Sequence, residues 1–235
     1  MQLRYHNEID PHKRGEILSD VILGGQDGLV NTLGVILGVA AASGEVRLVI
    51  AVGLAAAFAE SIAMGAAAYS SMQVQRAYYE SERQREYRHL RHAPDIEREE
   101  IREIYAAKGF KGALLERIVE KVTSDPEVWV NIMMAEEHRL SPVEKYAPLR
   151  SVLVVFLSAL LGSLIPLFPF FFVPITAGIV GALAFSVLAL FLVGVYKART
   201  MVGHPLRSGL EMAAIGMVSA LVGYGIGWLF KVPAV

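Results

Sequence analysis

The fold is decided by a stretch in which an apolar segment runs directly into a charged one. Residues 46–74 read VRLVIAVGLAAAFAESIAMGAAAYSSMQV, and residues 76–92 read RAYYESERQREYRHLRH. The first part can cross a hydrocarbon core of about 30 Å, which takes about 20 helical residues. The second part begins a segment, residues 76–148, that holds 28 of the 45 charged residues of the 235-residue chain. We call this segment the insert.

Working outward from this junction, five segments are long and apolar enough to span a bilayer. They lie at residues 17–42, 46–74, 151–168, 170–196 and 208–230. The sequence therefore predicts an all-α, polytopic membrane protein with five transmembrane helices and a helical insert between the second and third. The predicted domains are residues 1–75, 76–148 and 149–235. Within the insert, helices are predicted at 76–92, 94–107, 111–123 and 126–140, and a proline-rich interfacial turn is predicted over 166–174.

Basic residues near the ends of the spans predict the orientation. Arg4, Lys13 and Arg14 precede the first span, and the insert follows the second. Lys197, Arg199 and Arg207 lie between the fourth and fifth spans. Because cytoplasmic loops carry an excess of Lys and Arg, the N-terminus and the insert should be cytoplasmic and the C-terminus should lie on the opposite side. The membrane would be the plasma membrane in a prokaryote and the vacuolar membrane in a eukaryote.

Composition limits the chemistry of any site. The chain has no cysteine, so metal ligands would have to be carboxylates, imidazoles or thioethers. The net charge of −1 gives no reason to expect a nucleic-acid partner. In the insert, such ligands occur at spacings that place them on one face of a helix and suit ferrous iron and its neighbours better than calcium. The candidate metal ligands are Glu86, His89, Glu97, Glu100, Met133, Met134 and Glu137.

Two alternatives compete with a metal site in the insert. In so charged a segment, Glu pairs arise by chance and form solvated ion pairs, such as Glu82 with Arg85 or Glu99 with Arg102. Adjacent methionines also commonly fill a core. An oxidase-type di-iron centre is disfavoured because it needs two Glu-x-x-His motifs, and neither His92 nor His138 has a Glu three residues upstream.

Ionisable residues inside the spans favour transport. The first span carries Asp27 and Asn31 one helical turn apart, flanked by glycines, and the second carries Glu60 and Met64 at the same spacing. Carboxylates in a bilayer are costly, and neutral groups would serve a structural role at lower desolvation cost. These four residues are the predicted transport path. A purely structural role, as a helix cap or a packing residue, is the alternative for Asp27 and Met64.

Several of these motifs occur together in a known family. They are Asp27-Gly28-Leu29-Val30-Asn31-x-x-Gly34-Val35, Ser61-Ile62-Ala63-Met64-Gly65, and Met133-Met134-x-x-Glu137 after a Glu-rich insert. In this order they resemble the vacuolar iron transporter family over nearly the whole chain. Two positions depart from it. His89 stands where a Glu is expected, and Ala66 stands where many members have Glu, which leaves Glu60 as the only carboxylate of the second span.

The resemblance implies a homodimer, a cytoplasmic metal-binding domain, and export of Fe(II) from the cytosol in exchange for protons. Mn(II), Co(II) and Zn(II) are alternative substrates, and neither an enzymatic activity nor an organic cofactor is expected. Two functions from other classes remain open: a membrane-anchored metal sensor or storage protein without transport, and a membrane enzyme with a di-iron site.

Overall fold

The structure is a computed structural model that describes residues 14–142, 147–201 and 203–231. Regular secondary structure in these residues is entirely helical. The helices are α1 (Arg14–Ser43), α2 (Val46–His92), α3 (Pro94–Ala107), α4 (Gly112–Thr123), α5 (Pro126–Ile132), α6 (Ala147–Leu167), α7 (Ile175–Thr200) and α8 (Pro205–Leu229). A π-helical turn, Met133–Glu137, follows α5, and a 3-10 turn, Phe168–Phe171, follows α6.

Five of these helices are long and apolar enough to cross a membrane: α1, α2, α6, α7 and α8. The predicted all-α class and the five apolar helices are therefore confirmed. The basic residues Arg4 and Lys13, which contribute to the predicted orientation, lie outside the described residues. Backbone contacts divide the chain into two compact units. The five-helix unit comprises Met1–Tyr69 and Leu149–Val235, and the insert unit comprises Ser70–Pro148.

Close backbone approaches organise the five-helix unit around α1. Helix α1 packs against α7 and α8, and α7 packs against α8. On another side of α1, a Cβ atom at Gly28 would collide with the carbonyl oxygen of Ala159 in α6. This confirms that the glycines beside Asp27 allow another helix to approach. Gly44, with φ of 67°, occupies the short predicted turn between α1 and α2.

The insert unit has a hydrophobic core of its own. The buried residues of this core are Ile101 of α3, Val119 of α4, Trp129 of α5 and Met133 of the π-helical turn. Two prolines fix where its helices start, because each occupies the first turn, where a missing N–H costs least. At the second of these starts, the Asp125 carboxylate caps α5 by accepting a hydrogen bond from the backbone N–H of Glu127 at 2.9 Å.

Two predicted boundaries are wrong. The predicted helix 126–140 stops being α-helical at Ile132, where the chain widens into the π-helical turn. The break predicted to begin at Pro166 starts later, because this proline lies inside α6 and the chain leaves helical geometry only near Phe172. A proline near the end of a helix is tolerated when nearby groups satisfy the backbone bonds that it displaces.

Candidate functional site

The last turns of α2 and the first turns of α3 bring two pairs of candidate ligands together. Glu86 and His89 lie on α2, and Glu97 and Glu100 lie on α3. The chain reverses at Ala93, whose N–H donates to the carbonyl of His89 at 2.8 Å, and Pro94 starts the next helix. This is the hairpin predicted from the sequence, and it places the imidazole of His89 between carboxylates of both helices.

Glu86 is the centre of this cluster. Its side chain is buried, with the residue only 1% exposed. Its Oε1 atom lies 3.0 Å from Nε2 of His138 and 3.7 Å from Nδ1 of His89. Its Oε2 atom is buried and has no hydrogen-bond partner. A buried carboxylate oxygen without a donor is costly, so this atom is a candidate ligand for a cation.

Glu97 lies beside Glu86 and is likewise buried with one carboxylate oxygen unpartnered. The residue is 4% exposed, its Oε1 atom is 3.2 Å from Nδ1 of His89, and its Oε2 atom is buried without a partner. Burial, together with the negative charges of Glu100, Glu86 and Glu137, raises the pKa of Glu97 to about 8. At neutral pH and without a cation, the cluster therefore holds a proton at Glu97.

The π-helical turn supplies the other side of the cluster. The Glu137 side chain is 41% exposed, so it is also partly buried. This burial and the negative charges of Glu100 and Glu86 raise its pKa, and together they outweigh the lowering effect of His138 and His89. Burial acts to lower the pKa of His138. The hydrogen bond to Glu86 and the nearby carboxylates, Glu137 first among them, outweigh it, and the pKa of His138 is raised.

Two groups of side chains in the described part of the chain are close enough to hold a metal ion. Glu86, His89 and Glu97 form one, and Glu86, Glu137 and His138 form the other. In each group the potential ligand atoms lie within 4.8 Å of one another. Oxygen and nitrogen donors in this mixture suit Fe(II), Co(II) and Zn(II). Because Glu86 belongs to both groups, it could bridge two neighbouring ions.

The predicted methionine ligands occupy a different environment. Met133 is fully buried in the hydrophobic core of the insert unit with Ile101 and Trp129. Met134 is also buried, and both residues lie on the π-helical turn that carries Glu137. The core position of Met133 matches the alternative in which methionines at this spacing fill a core.

The ion pairs predicted for the rest of the insert are present and differ in kind. Arg85 contacts Glu82 at 3.1 Å, and Arg102 donates to Glu99 and to Glu116. Arg102 is half-buried, but both of its carboxylate partners are exposed to solvent, where such pairs contribute little to stability. By contrast, the charged partners of buried Glu86 are histidines. Chance pairing therefore accounts for exposed Glu99 and Glu116 but not for buried Glu86. Glu82 is buried as well, so its pair with Arg85 is not the solvated pair that was predicted.

In the five-helix unit, the structure brings together three of the four residues of the predicted transport path. The Asn31 side-chain amide on α1 donates a hydrogen bond to Oε2 of Glu60 on α2, and the Asp27 carboxyl lies within hydrogen-bonding reach of the same Glu60. Glu60 is half-buried, whereas Asp27 and Asn31 are exposed on the surface of a single chain. Met64 is half-buried one helical turn beyond Glu60.

Another carboxylate in the first predicted span was missed from the sequence. Asp20 accepts a hydrogen bond from the Ser151 hydroxyl at 2.6 Å, which ties α1 to α6. The Ser158 hydroxyl also approaches the backbone carbonyl of Asp20 at 3.5 Å. No helical spacing within α1 identifies Asp20, because its partners come from a helix more than 100 residues later. Its satisfied hydrogen bond indicates a structural role.

The fold and the site together define a class: a polytopic helical membrane protein that carries a cluster of carboxylate and imidazole side chains close enough to hold a metal ion. Comparison with known proteins then gives the family. Residues 18–228 match the model of the VIT family, and the chain belongs to that family. The resemblance to the vacuolar iron transporter family is thereby confirmed.

Several relatives align over most of their length. The chain is similar to vacuolar iron transporter 1 of Tulipa gesneriana, at 29% identity over 212 residues, which are 90% of this chain and 86% of that protein. It is 30% identical to vacuolar iron transporter 2 of Oryza sativa subsp. japonica over 213 residues, 90% of this chain and 87% of that one. A vacuolar iron transporter of Plasmodium falciparum is 26% identical over 242 residues, covering 97% and 88%.

Proposed function

We propose that this protein is a secondary transporter that moves Fe(II) out of the cytosol in exchange for protons. The observation that carries the proposal is the meeting of Asp27, Asn31 and Glu60 on two helices apolar enough to span a membrane. Two carboxyls and an amide at one depth offer oxygen ligands to a divalent cation. Names of the relatives support iron as the substrate.

The insert unit gathers the ion in this proposal. The predicted ligands Glu86, His89, Glu97 and Glu100 come from a single hairpin, and Glu137 reaches them from the π-helical turn. Metal binding requires deprotonated ligands, so loading the cluster releases the proton held at Glu97. Donors of this kind accept Mn(II), Co(II) and Zn(II) as well, and the methionines would act on the same ions only where their sulfur atoms can reach them.

A homodimer is part of the proposal. Asp27 and Asn31 are exposed on a single chain, in a helix that is apolar enough to lie in lipid. A carboxylate facing hydrocarbon is costly, so intramembrane charges almost always face a protein or water-filled interior. A second copy covering this face would remove the cost and would place two sets of Asp27, Asn31 and Glu60 along one path. Met64, one turn further on, would extend it.

The direction of transport follows from the proposed orientation. The insert unit is rich in Lys and Arg, and Lys197 and Arg199 lie in the last turn of α7. An excess of Lys and Arg near the ends of spans favours the cytoplasmic side. An ion collected there leaves the cytosol when it crosses the membrane. Membrane carboxyls that exchange a proton for a cation would couple this step to a proton gradient. The chain acts as a transporter in this proposal and not as an enzyme.

Transport into liposomes tests the proposal. The purified protein should carry Fe(II) across the bilayer when an opposing proton gradient is imposed, and Asp27→Ala should reduce the rate to that of protein-free liposomes. Glu211→Gln is the matched control, because this carboxylate near the start of α8 is exposed and bonded to Arg207 at 2.9 Å. Transport by Asp27→Ala at the parent rate would overturn the proposed path.

A second function, metal storage or sensing by a membrane-anchored protein without transport, is favoured by one observation. The insert unit has its own hydrophobic core and its own candidate ligands, so it could bind metal by itself. The two functions differ in one measurement. A store binds Fe(II) stoichiometrically and carries none across a sealed liposome, whereas a transporter continues to accumulate ions inside.

A further inference from the structure

His138 lies where no helical spacing predicts a ligand. The backbone N–H of His138 donates to the backbone carbonyl of Met133 at 3.2 Å. This hydrogen bond spans five residues, which is the pattern that defines a π-helical turn. Because this turn contains an extra residue, the side chains after it no longer lie on the helix face that α-helical spacing would give them. As a result, the imidazole of His138 reaches Glu86, 52 residues earlier in the chain, at 3.0 Å.

We propose that His138 is a metal ligand of the insert unit, acting with Glu86 and Glu137 at a position beside the one formed by Glu86, His89 and Glu97. This inference rests on the proposed function, in which the insert unit binds the transported ion. It adds a second imidazole to a donor set otherwise dominated by carboxylates. Nitrogen donors shift preference toward Fe(II), Co(II) and Zn(II) and away from Mn(II) and Mg(II).

Two independent observations support the assignment. The first is geometric: ligand atoms of Glu86, Glu137 and His138 lie within 4.8 Å of one another. The second is the Oε2 atom of Glu86, which is buried without a hydrogen-bond partner although the residue is 1% exposed. Both histidines approach the other oxygen, Oε1. While no metal is bound, the neighbouring Glu97 carboxyl can share its proton with Glu86. A cation that displaces this proton finds the Glu86 carboxylate beside its other ligands.

An ion pair between His138 and Glu86 without any metal role is the competing explanation. Both explanations predict that removing the imidazole disturbs Glu86, so stability alone cannot separate them. They differ in what surrounds a bound metal. Only a ligand role changes the number of imidazoles coordinated to the ion.

The experiment uses the full chain in detergent after removal of metal with a chelator. Calorimetric titration with Zn(II) and with Mn(II) compares the parent, His138→Ala and His92→Ala, while zinc X-ray absorption counts coordinated imidazoles. His92 is the matched control, because it is exposed and contacts the Arg88 carbonyl at 2.8 Å. We expect His138→Ala to weaken Zn(II) binding at least about tenfold, as loss of a ligand or its supporting partner does. Mn(II) binding should fall less.

The imidazole count should also fall in His138→Ala, and it should be unchanged in His92→Ala. A His138→Glu variant should restore Mn(II) binding more fully than Zn(II) binding, which guards against simple misfolding. If the parent binds Zn(II) and His138→Ala binds it equally well with the same imidazole count, the inference is overturned and the proposed function stands. If the parent binds neither ion, the metal role of the insert unit fails, and the inference fails with it.

Discussion

The insert unit and the five-helix unit both hold clustered carboxylates, but the two clusters differ in how far the chain itself shields the carboxylates from the surroundings. Glu86 and Glu97 are buried within one chain and surrounded by imidazoles and further carboxylates. Asp27 and Asn31 stand exposed on a single chain, with only Glu60 half-buried beside them. The candidate ligands of the first cluster all come from one chain and are largely sheltered by it, whereas the second cluster is sheltered only when something covers it. In the proposed transporter, metal binding would therefore need one copy of the chain and translocation would need the dimer.

The largest effect is expected in a cross-linking experiment, which asks whether a second copy of the chain covers the cluster of Asp27, Asn31 and Glu60. The chain has no cysteine, so a single cysteine can be introduced without first removing native ones. Asn31→Cys should give nearly complete dimer on a denaturing gel after treatment with a short bis-maleimide cross-linker. Leu192→Cys, on an exposed apolar surface of α7, should stay monomeric. Equal cross-linking at both positions would contradict a dimer through the Asp27 face.

The next effect should be loss of metal binding when Glu86 is neutralised. Glu86→Gln keeps the shape but removes the charge that both candidate metal groups share. We expect the affinity for Zn(II) to fall by about 100-fold in calorimetry. Glu116→Gln serves as a control because this residue pairs with Arg102 on the surface. A similar loss in both variants would show that general charge, and not the cluster, attracts the ion.

A smaller effect should follow from pH. Because the pKa of Glu97 is raised to about 8 by burial and by Glu100, Glu86 and Glu137, a proton competes with the metal below that pH. Apparent affinity should rise with pH between 6 and 8, by up to about tenfold per pH unit for one displaced proton. Calorimetry in buffers of different ionisation enthalpy measures the protons released.

The smallest effect should be on the stability of the metal-free insert unit. The folded pKa of Glu97 exceeds its ordinary value of 4.5, so its protonated form favours folding. This contribution is complete below about pH 4.5 and is lost as pH rises toward 8. In a Trp228→Phe background, the fluorescence of buried Trp129 reports denaturant unfolding of this unit alone. The midpoint should fall with rising pH, and Glu97→Gln should flatten that dependence.

Much of the architecture can be predicted from the order of apolar residues and prolines along the sequence. Hydropathy locates the five long helices because each must be apolar along its whole length to lie in lipid. Prolines at the starts of α3 and α5 locate breaks in the insert, since a proline in a first turn costs little. Pro166 was misjudged because the same residue can also sit near the end of a helix.

The candidate site was only partly accessible from the sequence. Glu86 with His89, and Glu97 with Glu100, follow from helical spacing, and the hairpin between them follows from Pro94. His138 was missed because its place depends on a π-helical turn that no spacing rule anticipates. Asp20 was missed as well, because its partner Ser151 belongs to a distant helix. Contacts of this kind are set by tertiary packing.

The π-helical turn has a consequence for how this segment tolerates mutation. A π-helical turn accommodates one more residue than a regular α-helical turn. Deleting a single residue between Met133 and Glu137 would let the helix close normally and would rotate His138 by about 100°. The imidazole would then leave Glu86, although no side chain of the cluster had been replaced. The geometry of the cluster therefore constrains the chain length of this segment as well as the identity of its residues.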